Sequence, residues 1–113
     1  DGNTNLHAQW DAIPRSIDPA VLPAAMLRSA RATPPPPGPV AQWPARWAGS
    51  TMLVAREAFA GLSFTRVGAA RPGNWVVTLH DRPAYEATRA KLQHRQLTLA
   101  GARLAQVLNA LWP

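Results

Sequence analysis

Four prolines in a row, Pro34, Pro35, Pro36 and Pro37, lie in the stretch "TPPPPGPV" and constrain this chain more than any other residues. Proline locks φ near its extended value and has no amide hydrogen to donate, so such a run is excluded from a helix and from the interior of a sheet. Residues 33–40 are therefore read as an extended, polyproline-type connector. Neither flank is long enough to fold alone, which makes the segment a stiff surface link within one domain. Recognition by a proline-reading module is the alternative use of the same segment.

Other prolines set further limits. A first helix starts at a Thr4 or Asn5 cap and runs to Ile13, where Pro14 interrupts it. A second is expected in "DPAVLPAAMLRSARA", with Asp18 as cap and Pro19 in the favoured first position, although Pro23 leaves that boundary open. Between Trp43 and Leu62 the residues Trp47, Val54, Ala55, Ala58, Phe59 and Leu62 recur at helical spacing, weakened in the middle by Gly49 and Ser50. The next stretch changes character: Arg71, Pro72, Gly73 and Asn74 spell a turn, and "WVVTL" at Trp75 is β-prone. It reads as a short hairpin or a long surface loop. After Asp81 and Pro83 one helix continues to the end, with Leu97, Ala100, Leu104, Val107, Leu108 and Leu111 as an apolar stripe. Gln93, Arg95, Arg103 and Gln106 lie off that stripe, and Gly101 is tolerable if another helix packs close to it. The expected architecture is all-α, with three or four helices and one irregular or hairpin excursion near residues 63–80.

With 113 residues the chain is at most one small domain. Asp1 in place of methionine reads as the start of a processed product or a fragment. No run of about twenty apolar residues is available to span a membrane. The absence of cysteine excludes disulfides and thiolate ligands, so any zinc must be held by His, Asp or Glu. Twelve basic against six acidic residues give a net charge of +6, and eleven of the twelve are arginine. That balance suits a polyanion such as nucleic acid or anionic lipid, but the arginines are scattered and equally fit a solvated surface. Arg66, Arg71, Arg82 and Trp75 are the candidates for a basic–aromatic patch that stacks on bases and reaches phosphates.

The stretch "TNLHAQWD" carries the sharpest chemistry. Residues four apart on an α-helix are rotated by about 400°, so His7 and Asp11 share a face. An imidazole and a carboxylate so placed are two ready ligands for one zinc ion, and a third must come from elsewhere. On spacing alone the pair also fits an ordinary ion pair on a helix surface. His94, on the long helix, reads as a solvated surface residue, and His80, before Pro83, as a turn residue.

Together with its flanks, "TNLHAQWD" is similar to the Thr-Asn-Leu-His-x-x-Trp-Asp signature of the zinc-dependent single-strand nucleases, the nuclease S-one/P-one family of the phospholipase C/nuclease superfamily. "QLTLAGARLAQVLNAL" resembles that family's closing helix, and "WAGSTMLVAREAF" resembles its Trp-Ala-x-Glu-Ser helix, in the same order. The resemblance implies a helical phospholipase C/nuclease-like fold, represented here by an incomplete C-terminal part. It implies three zinc ions in a cleft, cleavage of single-stranded DNA and RNA to 5'-nucleotides, 3'-nucleotidase activity, and a secreted or periplasmic location. Carried over by position, His7 and Asp11 bind the zinc that stands apart from the close pair, while Asn5 and Trp10 support the ligand helix. The family's remaining ligands, including a histidine that completes this same zinc, lie upstream of the motif. The chain is thus expected to bind zinc weakly, to be inactive alone, and to need the missing N-terminal segment as covalent or separate partner. Ser50 stands where the family has glutamate, and Phe59 where it often has tyrosine. A phospholipase C-type phosphodiesterase is the alternative, disfavoured because that branch places glutamate where Asp11 stands. A degenerate, non-enzymatic helical interaction domain is the other.

Overall fold

The computed structural model describes residues 5–14, 17–18, 20–21, 23–68 and 75–113. Among them are four α-helices, α1 (Leu6–Asp11), α2 (Ala24–Ala32), α3 (Trp43–Phe59) and α4 (Arg82–Leu111), and two strands, β1 (Leu62–Arg66) and β2 (Trp75–Leu79). The strands form an antiparallel two-stranded sheet in which Leu62 pairs with Leu79 and Arg66 with Trp75. The fold is therefore mixed, and the all-α expectation is corrected. What defeats it is local: Val76, Val77 and Thr78 favour a pleated backbone. α3 also ends earlier than its apolar spacing suggests. The chain turns at Gly61, whose φ of +77° is left-handed, so Leu62 begins a strand instead of closing the helix. The turn residues 71–74 lie outside the described residues.

The second helix also starts later than expected. Asp18 does not cap it; its carboxylate accepts from the Ala20 amide at 2.8 Å and its carbonyl from the Val21 amide at 3.2 Å, which makes an isolated tight turn. α2 begins only after Pro23, because a helix running from residue 19 would drive the Pro23 ring into the preceding turn. Pro19 lies outside the described residues. The proline run behaves as its chemistry requires: no helix or strand forms between Thr33 and Pro39. It leads into a single 3-10 turn (Val40–Gln42) and then α3, where the buried Trp43 indole donates to the Gly38 carbonyl at 3.1 Å.

α4 is the frame on which the rest is laid. Asp81 caps it, its carboxylate accepting from the Ala84 amide at 3.0 Å, with Pro83 in the first turn. Its buried residues are Tyr85, Leu92, Gln93, Thr98 and Ala102. This is not the leucine stripe: Leu97, Leu104, Leu108 and Leu111 are 40%, 62%, 45% and 57% exposed. Side chains off the stripe make the tertiary contacts instead. Arg103 lies 5.5 Å from the centre of the Trp47 ring and donates to Ser50 Oγ at 2.9 Å, joining α3 to α4. Gln106 donates to the Thr33 carbonyl at 2.9 Å, which ties the end of α2 to the same helix. Arg103→Ala is expected to cost about 1–2 kcal/mol, the sum of a cation–π contact and a part-buried hydrogen bond. Urea unfolding of that variant, with Arg103→Lys recovering only part of the loss, is the check.

Gly101 does not mark a close helix crossing. Nothing lies within 4 Å of where its Cβ would be, and its backbone is helical. Gly101→Ala is accordingly expected to stabilise the chain by about 0.5–1 kcal/mol, seen as a raised denaturation midpoint.

Candidate functional site

A helix of six residues has almost no stability of its own, because nucleation is not recovered over so short a length. α1 exists because both ends are held. At the start, Asn5 Oδ1 accepts from the Ala8 amide at 2.8 Å, which selects Asn5 over Thr4 as cap; Thr4 lies outside the described residues. At the end, the carbonyls that helix geometry leaves unpaired face α4. Gln93 Nε2 stands 3.2 Å from the Gln9 carbonyl, 2.9 Å from that of Trp10 and 2.9 Å from that of Ala12. Arg89 Nη1 adds a second donor to the Gln9 carbonyl at 2.9 Å. Midway, the Trp10 indole donates to the Tyr85 hydroxyl at 2.9 Å, pinning the half-buried ring to the buried tyrosine. The helix ends at Asp11, two residues short of the expected Ile13.

With Trp10 and the C-terminal carbonyls turned to α4, the opposite face of α1 looks outward. His7 and Asp11 are on it, with side chains 84% and 65% exposed and His7 Nε2 3.0 Å from Asp11 Oδ2. Sequence spacing brings these two together as expected. Two ligands of one tetrahedral zinc stand about 3.4 Å apart at bond lengths near 2.1 Å, so the observed pair needs only a small opening to embrace an ion. Both side chains are largely exposed, which leaves room for that adjustment. The donor set therefore fits zinc as half of a site. Among the described residues no group of three or more His, Cys, Asp or Glu is placed to hold a metal.

Other residues singled out by sequence fall apart from this pair. His80 is an exposed turn residue whose amide donates to the Gly61 carbonyl at 3.1 Å, closing the base of the hairpin. His94 is half-buried, not fully solvated, because its side of α4 is partly covered. Ser50, where the resembled family has a carboxylate, donates to the Trp47 carbonyl at 2.8 Å and accepts from Arg103. The Phe59 ring packs on Phe64 at 5.9 Å. Arg82 pairs with Glu86 at 3.6 Å on the surface of α4, which draws it out of the proposed basic–aromatic set. Arg71 lies outside the described residues. Arg66 and Trp75 remain, directly opposite one another across the hairpin.

Sequence reading missed Gln93, Arg89 and Tyr85, which hold the candidate ligand helix from more than seventy residues away. A glutamine inside a long amphipathic helix carries no local signal for such a role. No helix among the described residues is long and apolar enough to cross a membrane. No family model matches the chain, and no curated protein or solved structure is a match for it.

Proposed function

We propose that this chain is part of a zinc-dependent phosphodiesterase acting on single-stranded nucleic acid, and that it contributes one corner of a metal centre. The observation that carries the reading is the solvent-facing His7–Asp11 pair at 3.0 Å on a helix whose other side is tied to α4 by hydrogen bonds. The bonds that make so short a helix possible also fix the two donors it carries, and a metal site tolerates little play between its donors. Zinc bound there supplies Lewis-acid polarisation of a phosphate oxygen. His7 and Asp11 hold the ion, Asn5 and Trp10 fix the helix that presents them, and Arg89 and Gln93 fix its direction.

Two ligands do not complete a site, and the described residues supply no third, so the reading assigns further donors to polypeptide outside them, joined or separate. The surface supports that expectation. The radius of gyration is 17.5 Å, against about 13 Å for a compact domain of this length. An apolar groove of about 700 Å³, lined by Ile13, Ile17, Met26, Leu27, Leu97 and Ala102 among others, lies open between α2 and α4. Additional helices of the same enzyme would bury it.

The test has two levels. The chain alone is expected to bind zinc more weakly than micromolar by calorimetric titration, with His7→Ala and Asp11→Asn each abolishing the signal and leaving the circular dichroism intact. Joined to the polypeptide encoded upstream, it should hydrolyse single-stranded DNA in zinc, and the same two substitutions should remove that activity. Undiminished hydrolysis by the His7→Ala protein would overturn the assignment. Cleavage of phosphatidylcholine in place of DNA would shift it to the lipase branch.

A further inference from the structure

The β1–β2 hairpin has a face that the metal corner does not use. Strand alternation places Leu62, Phe64 and Arg66 of β1 on the same side as Leu79, Val77 and Trp75 of β2. Toward the base this side is covered: Leu62, Val77 and Leu79 are half-buried, and Phe59 packs on Phe64. Toward the open end it is bare, with Trp75 57% and Phe64 44% exposed and Arg66 exposed beside them. Among the described residues Arg66 has no hydrogen bond or ion pair. From Gly61 to His80 the sequence holds two arginines and no acidic residue, so no carboxylate of this stretch opposes Arg66.

We propose that this end of the hairpin, Trp75 with Arg66, docks single-stranded nucleic acid, the indole stacking on a base and the guanidinium meeting a backbone phosphate. The proposal deepens the substrate class read above and rests on that reading only for the reaction that follows binding. A two-stranded ribbon is marginal in water by itself, and an indole left bare on it gains most from a flat partner. Bases of a single strand have free π-faces, whereas those of a duplex are already stacked. The phosphate that accompanies each base matches the cation placed directly across from the ring. An acidic protein segment would meet the charge and leave the ring without a matching plane.

The experiment is fluorescence anisotropy of a dye-labelled oligothymidylate titrated with the 113-residue chain in EDTA, so that binding and zinc-dependent hydrolysis fail separately. The expected result is salt-sensitive binding that weakens about tenfold in Trp75→Ala and about fivefold in Arg66→Ala. Trp75→Phe, which keeps a ring, and Arg66→Lys, which keeps the charge, should recover most of it, and circular dichroism of all four should match the parent. A duplex of the same length should bind more weakly. Absence of oligothymidylate binding, equal binding by the alanine variants, or equally tight binding of duplex or of polyglutamate would each overturn the proposal.

Discussion

Gln93→Leu is expected to lower the stability of the chain by about 2 kcal/mol and to release α1 from α4. The side chain is buried and its single amide nitrogen has two hydrogens to distribute among the carbonyls of Gln9, Trp10 and Ala12. Leucine keeps the volume and removes every donor. Water reaches part of the vacated space and Arg89 still serves Gln9, which keeps the cost below that of three orphaned carbonyls. Gln93→Glu separates donor loss from packing. As an acid it can donate one hydrogen to the carbonyls only when protonated, so its folded-state carboxyl is expected above the unfolded value. The sign follows: stability is retained at low pH and lost as pH rises through the folded-state range. Urea midpoints for both variants across pH, with hydrogen exchange of the α1 amides, are the measurements. A pH-independent Gln93→Glu protein would show that these carbonyl contacts carry no energy.

That example also explains what the sequence could disclose. Short-range chemistry was legible because its causes are adjacent residues: Asn5 capping α1, Asp81 with Pro83 starting α4, the proline run refusing regular structure, and His7 meeting Asp11 one turn later. The failures lie where a distant partner decides. That the 63–80 excursion is a hairpin and not a surface loop depends on Leu62 finding Leu79. The buried side of α4 is set by what lies against it. Tyr85 and Gln93 receive α1, Arg103 receives α3, and Gln106 receives the end of α2. A hydrophobic pattern identifies the face that gains from burial; it does not say that these 113 residues bury it. The candidate site divides the same way, its two donors plain from spacing and its supports hidden on another element.

The division has a sharp energetic consequence. Leu92→Ala is expected to cost about 2.5–4 kcal/mol, because Leu92 is 1% exposed and the cavity left behind adds to the lost transfer free energy. Leu104→Ala, at 62% exposure, is expected to change stability by less than about 0.5 kcal/mol, although it belongs to the stripe that the sequence pattern marks for burial. Against the about 5–15 kcal/mol that holds a typical domain folded, the first substitution removes a large share and the second hardly registers. Thermal and urea unfolding of the two variants side by side gives the comparison directly. If further polypeptide covers the leucine face of α4, the ranking changes in its presence. Leu104→Ala and Leu108→Ala then weaken association while leaving the isolated chain as stable as before. Gly101→Ala, helpful to the isolated helix, becomes neutral or harmful once the groove it lines is filled. A Leu104→Ala chain that unfolds as readily as Leu92→Ala would mean instead that the leucine stripe is already buried by the chain itself, and that α4 is packed through the face its pattern first suggested.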